Sequence, residues 1–296
     1  MVFPPFDPAP PPRRRRFKAI PVRMLLPNLI TLLALCAGLT SIRLAVESKL
    51  DLALAAIVFA ALLDGIDGRI ARLLKGTSRF GAELDSLADF VNFGVAPALI
   101  LYFWGLHELK NAGWIAALVF AICAALRLAR FNVMIDDPGK PAWVGNFFTG
   151  IPAPAGAITV LLPIYLNFLG VSNGLVTVWL TFFYTLAVAL LMVSQLPVFS
   201  GKRVGKRVPP DLVLPVFVLV VLFFALLISY PWAVLTLGTL AYIGCLPLGW
   251  WSYREHHRKD MAAATAAAAA SAGEAPAAPG HVPAGDSEPD RPARLN

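Results

Sequence analysis

The sequence predicts an all-α integral membrane protein, a polytopic helix bundle of about eight transmembrane helices with both termini on the cytoplasmic side. Three observations predict it. Hydrophobic residues make up 58% of the chain and charged residues 15%, with a mean hydropathy of +0.69, far more apolar than a soluble domain. Apolar runs of roughly 18 to 23 residues recur, the length that crosses a bilayer core as a helix. Basic residues gather in alternate connections, the pattern that keeps positive ends inside.

The elements follow in order. Residues 1–22 form a Pro/Arg-rich tail, MVFPPFDPAPPPRRRR, and then a short basic segment suited to the membrane surface. No apolar run directly follows its basic cluster, so it does not read as a cleaved signal peptide. Its basic residues suit anionic headgroups, at roughly 1 kcal/mol each near the surface. Apolar runs come at 26–46, 50–73, 85–106, 112–131, 152–170, 174–196, 211–230 and 232–251. The connection after the second carries Arg69, Arg72, Lys75 and Arg79. The one after the fourth carries Arg127, Arg130 and Lys140, and the one after the sixth Lys202, Arg203, Lys206 and Arg207. Together with the two tails these hold all 25 Lys and Arg except Arg43, Lys49 and Lys110. A missed span would scramble that alternation, so it supports the count.

The transmembrane domain therefore runs over 23–255. Residues 256–296 form an Ala/Pro-rich tail with too little apolar bulk for a core, predicted to be disordered. The cluster EHHRKD at 255–260 reads as a solvated helix end without chemistry. The formal charge of +7 is a topology signal: no basic soluble face or nucleic-acid module is present. Cys36, Cys123 and Cys245 lie in apolar spans without metal-ligand spacing, and packing is their expected role. No internal repeat is visible, which weighs against an inverted-repeat transporter.

The chemistry concentrates in LLDGIDGRIARLLKGTSRFGAELDSLADF, residues 62–90. Residues three or four apart share a helix face. Asp64, Asp67, Gly68, Ala71 and Arg72 form one stripe, and Gly81, Asp85 and Asp89 another. The short link between the spans predicts an antiparallel hairpin in which four carboxylates converge. An ionised side chain at membrane depth costs several kcal/mol, and neighbouring negatives repel. Protons or divalent cations must neutralise them, and oxygen-only ligands favour Mg²⁺ or Mn²⁺. Two such ions bridged by carboxylates make the clamp used for phosphoryl displacement. Gly68 and Gly81 leave room for something bulky, Arg72 supplies a forked phosphate donor, and Ser78 adds a hydroxyl. The bland alternative, glycine faces that merely let membrane helices pack, accounts poorly for Asp85 and Asp89.

The segment resembles, position for position, the signature of the CDP-alcohol phosphatidyltransferases, D-x2-D-G-x2-A-R-x8-G-x3-D-x3-D. Here it reads Asp64, Asp67, Gly68, Ala71, Arg72, Gly81, Asp85 and Asp89, without departure. The resemblance implies transfer of a phosphatidyl group from a CDP-linked lipid to an alcohol, with release of CMP. It implies that Asp64, Asp67 and Asp85 ligand two divalent cations and that Asp89 is both a ligand and the general base. Gly68, Arg72 and Ser78, with Gly81 and Asp85, would hold the CDP portion. It further implies a six-helix core, here with two added helices, and a homodimer.

The motif leaves the acceptor open. FVNFGVAPA after Asp89, RLARFN at 127–132 and GIPAPAGA at 150–157 together resemble the membrane-embedded phosphatidylserine synthases of bacteria and archaea, over roughly residues 25–200. The implied substrates are CDP-diacylglycerol and L-serine, at the cytoplasmic face of a bacterial-type inner membrane. Serine's carboxylate needs a cation, and Arg127 and Arg130 stand three residues apart; Asn92 and Asn132 would orient the amino acid. Plain positive-inside anchoring is the alternative reading of the arginines. Glycerol 3-phosphate or an inositol phosphate would use them too, and choline is a further acceptor. From another class, an ion-coupled transporter would place its carboxylates nearer the bilayer centre, and a scaffold would have no reason to retain four.

Overall fold

Two adjoining apolar runs become the antiparallel helices α1 (Val22–Val46) and α2 (Leu50–Leu73) in the computed structural model, which describes residues 22–74, 78–135, 147–194, 197–199, 210–247, 258 and 261. The tail before residue 22, Lys75, Lys140, the basic connection 202–207 and nearly all of the chain beyond 247 lie outside the described residues. On α1 the buried positions Pro27, Thr31, Ala34, Gly38, Ser41 and Ala45 recur every three or four residues. Small side chains along such a stripe let helices approach closely, and α2 answers with Ala53, Leu54, Ile57 and Ala60, all buried.

The third predicted span begins earlier than the sequence suggests. α3 (Arg79–Phe90), a π turn (Val91–Val95) and α4 (Ala96–Trp104) form one rod. Ser78 caps its start, accepting a hydrogen bond from the Gly81 N–H at 3.0 Å. A 3₁₀ turn (Leu106–Leu109) leads into α5 (Asn111–Ile135). The fifth predicted span is split into α6 (Ala153–Val160) and α7 (Leu162–Phe168), because Pro163 lacks the N–H that would continue the helix. α8 (Leu175–Val193), α9 (Pro210–Ser229) and α10 (Pro231–Pro247) complete the chain of helices.

Helices thus stand at each predicted run. Among the described residues five are long and apolar enough to cross a membrane: Leu25–Val46, Arg79–Trp104, Asn111–Val133, Leu175–Val193 and Leu212–Ser229. α6–α7 and α10 are apolar but shorter, and α2 carries Asp51, Asp64, Asp67, Arg69 and Arg72. The helical architecture carries one short addition. Phe147–Thr149 (β1) pairs antiparallel with Pro197–Phe199 (β2), Phe147 opposite Phe199. The chain enters α6 beside the end of α8, where the Ile151 N–H reaches the Leu191 carbonyl at 3.4 Å and Gly150 turns at φ +76°, so the two connections run side by side and can pair.

The core lies among the π turn and α4 to α8, where Phe93, Ile100, Leu101, Phe120, Ile164, Tyr165 and Met192 are fully buried. α10 packs onto it through Trp232, Leu235, Tyr242, Ile243 and Leu246, with Trp232 stacked on Phe168 at 4.7 Å. Along α9, by contrast, every described side chain is exposed except half-buried Leu227. Of the cysteines only Cys123 is buried; Cys36 and Cys245 face outward, which corrects the packing role expected of them. Buried hydroxyls mostly close on their own helix, as hydrocarbon offers them no water. Thr181 donates to the Thr177 carbonyl and Thr185 to that of Thr181, both at 2.8 Å, and Thr236 to that of Trp232 at 2.7 Å.

Candidate active site

The carboxylates do not meet by zipping α2 onto α3. Those two helices scarcely touch; each packs against α1, and the acidic stripes face a cleft between them. Direct packing would press like charges together, whereas the cleft leaves room for something between. Its cavity is about 200 Å³, with Asp67, Gly68 and Ala71 from α2, Ser78, Gly81, Ala82 and Asp85 from the α3 side, and Pro27, Asn28 and Thr31 from α1.

Asp64, Asp67 and Asp85 each offer an oxygen within 4.8 Å of the others. Asp67 is only 4% exposed. Its Oδ2 lies 2.7 Å from the Thr31 hydroxyl, which also stands 3.1 Å from the Pro27 carbonyl, and its carboxylate accepts the Gly68 N–H as well. Asp89 is outside that set of three. Its carboxyl meets that of Asp64 and lies within electrostatic range of Arg127. Among the described residues none of the four makes an ion pair; the two ion pairs present are both on Glu47. Three converging carboxylates with no protein cation in contact, and with oxygen donors only, fit a hard divalent ion.

The glycines divide. A Cβ on Gly68 would meet no atom within 4 Å, so that position keeps cavity space open. A Cβ on Gly81 would come 2.8 Å from Asn28 Oδ1. α1 comes close at this point, so Gly81 serves helix packing while also lining the cavity. Ser78 lines the cavity while capping α3. Arg72 is exposed and folds its Nε onto the Gly68 carbonyl at 2.9 Å, leaving its other donors free.

The expected acceptor residues divide too. Arg127 is 8% exposed, with no partner for Nε and its guanidinium 5.6 Å from the Phe131 ring. Asn92 is 1% exposed with Oδ1 unpartnered, and Gly38 of α1 makes room for it, since a Cβ there would overlap that oxygen. Arg130 instead donates to the Val193 carbonyl at 2.7 Å, closing the end of α8. Asn132 donates to Ser86 Oγ at 3.0 Å, tying α5 to α3. Both of these bonds join helices. The α1 contribution, Asn28 and Thr31, is missed by reading residues 62–90 alone. Its signal is there: two polar residues three apart in an apolar span, on one face.

The comparisons with known proteins agree with this geometry. A family model described as CDP-alcohol phosphatidyltransferase matches residues 24–193, and a second, CDP-alcohol phosphatidyltransferase 2, matches residues 211–247. The chain is 39% identical over 236 residues to the CDP-diacylglycerol–serine O-phosphatidyltransferase of Mycobacterium leprae, covering 80% of this chain and 77% of that one. It is 37% identical over 211 residues to the Helicobacter pylori protein of the same name, covering 70% and 83%. The archaetidylserine synthase of Methanothermobacter thermautotrophicus is 32% identical over 184 residues, covering 60% and 71%. With the aspartates gathered and the family model spanning α1 to α8, the chain belongs to the CDP-alcohol phosphatidyltransferase family.

Proposed function

We propose that this protein transfers the phosphatidyl group of CDP-diacylglycerol to the hydroxyl of L-serine, giving phosphatidylserine and CMP. The observation that carries the reaction class is the cleft in which Asp64, Asp67 and Asp85 converge. The acceptor rests on relatives named for serine across most of the chain and on the buried guanidinium of Arg127, within electrostatic range of Asp89.

Asp64, Asp67 and Asp85, with Asp89 at their edge, would hold two divalent cations, Mg²⁺ or Mn²⁺. Bound there, the ions would neutralise the carboxylates and offset charge building on the phosphoryl oxygens. The CDP portion of the donor enters beside Gly68, Ser78 and Gly81, with Arg72 at the rim as a phosphate donor. Serine binds with its carboxylate toward Arg127, and Asn92 orients it. Asp89 takes the proton from the serine hydroxyl. That oxygen bonds to the phosphorus carrying diacylglycerol as the bond from this phosphorus to the CMP oxygen breaks, and CMP leaves.

The proposal includes eight spans, both termini and the site on the cytoplasmic side of a bacterial-type inner membrane, and a homodimer. Supporting it are the helices at all eight apolar runs, the basic-residue alternation and the family resemblance. The test is CMP release in detergent micelles with CDP-diacylglycerol and Mn²⁺ or Mg²⁺, offering serine, glycerol 3-phosphate, inositol phosphate and choline separately. Serine-dependent, chelator-sensitive CMP release with phosphatidylserine formed is expected. Turnover with another acceptor only would overturn the serine assignment. Absence of metal-dependent release with any would return the ion-coupled transporter.

A further inference from the structure

Among the described residues, four buried polar side-chain atoms have no hydrogen-bond partner: Asn92 Oδ1, Arg127 Nε, Thr239 Oγ1 and Tyr242 OH. Such atoms are uncommon, and each costs free energy unless something satisfies it. Two of them are on α10, outside the aspartate motif altogether. Thr239 and Tyr242 stand three residues apart and so share a face. Thr239 is 3% exposed.

Thr239 also departs from its neighbours. Thr236, one turn earlier, returns its hydroxyl to its own helix, and Thr181 and Thr185 do the same. Thr239 has the same backbone available four residues back and leaves its hydroxyl unpaired. Tyr242 is within electrostatic range of Arg127, and Arg127 is within range of Asp89. Arg127 thus feels both Asp89 and, from α10, Tyr242. α9 and α10 are matched together, apart from the rest of the chain, over residues 211–247. Only α10 is packed inward, with Trp232 on Phe168 and Tyr165 fixing its start.

We propose that Thr239 and Tyr242 form the far wall of the acceptor pocket, where their hydroxyls, with the Arg127 guanidinium, bind the carboxylate of a small amino acid. This rests on the serine reading above and adds specificity-determining residues from a helix beyond the aspartate-bearing part of the fold. Two hydroxyls and one guanidinium suit a single carboxylate held in a buried pocket. The amino acid's own hydroxyl then points toward Asp89.

The experiment measures serine and CDP-diacylglycerol KM values on the full-length protein in micelles with Mn²⁺, for wild type, Tyr242→Phe, Thr239→Val and Thr239→Ser, along with thermal midpoints. Wild type must first turn over serine; if it does not, the underlying reading fails and the wall has no acceptor to bind. If it does, Tyr242→Phe and Thr239→Val each raise serine KM about tenfold or more, leave donor KM unchanged and do not lower the midpoint, because each removes a hydroxyl that is unsatisfied without ligand. Thr239→Ser keeps the hydroxyl and the wild-type serine KM. Unchanged serine KM in both hydroxyl-less variants would overturn the proposal. So would a joint rise of serine and donor KM with a lowered midpoint, the mark of a merely structural role.

Discussion

The two ends of the α1–α2 pair treat carboxylates in opposite ways. At the turn, Glu47 is bracketed by Arg43 at 2.8 Å and Lys49 at 2.9 Å, on the surface. The bond from Lys49, then that from Arg43 and both positive charges, hold its carboxyl below the usual range. At the other end Asp64, Asp67 and Asp85 converge with no protein cation in contact. Where only solubility is at stake, charge is matched within the chain. Where it is left unmatched, in a cleft kept open by Gly68, an external cation is the remaining match.

That contrast breaks first at the ligands. Asp64→Asn should abolish metal-dependent CMP release and weaken Mn²⁺ binding in a titration; an unchanged Mn²⁺ affinity would remove Asp64 from the ligand set. Asp89→Asn should lower turnover by about 10²- to 10⁴-fold, the range for losing a general base. Mn²⁺ and donor binding should survive it, and normal activity would sink the base assignment. Thr31→Val removes the hydroxyl beside Asp67, and Mn²⁺ affinity should fall about tenfold, as for other groups that support a metal ligand.

The glycine pair sharpens the comparison further. Gly81→Ala drives a methyl against the Asn28 side chain, which must move aside, and should lower the thermal midpoint. Gly68→Ala should leave the midpoint unchanged and raise donor KM, because its methyl enters ligand space. At the far end the effect vanishes. Glu47→Gln should leave CMP release and midpoint as in wild type. A lowered carboxyl pKa contributes stability above the unfolded value that is lost as pH falls through the folded one. Acidification from neutral pH to about 5 should therefore leave this exposed turn unchanged. A midpoint sensitive to Glu47 would erase the distinction between the two ends.

The helices were legible because apolar length and basic alternation are strong, one-dimensional signals, and the aspartate stripes because helical spacing converts directly to shared faces. What the sequence did not disclose was third-party packing. Asp67 and Asp85 could be expected to face one another, but not that α1 would stand against both and lend Thr31 and Asn28. Arg130 carried the same sequence signal as Arg127, and Asn132 the same as Asn92, yet Arg130 bonds a helix end and Asn132 a serine hydroxyl. Local spacing says which side chains share a face; it does not say which neighbour reaches them first. The short β1–β2 ladder was hidden for a similar reason, since three-residue strands have no period to read.

The π turn at Val91–Val95 acts as a phase shift. It inserts about one residue relative to regular α-helix, so directions before and after it are offset by about 100°. Upstream, Asp85 faces the cleft from α3; downstream, Ile100, Leu101 and Trp104 face the core from α4. One continuous rod thereby aims its chemistry and its packing along different azimuths, each set without disturbing the other. Removing any one of those five residues would turn the two halves against each other like a slipped gear. The aspartate motif, moved to a straight helix, would arrive without its bearing.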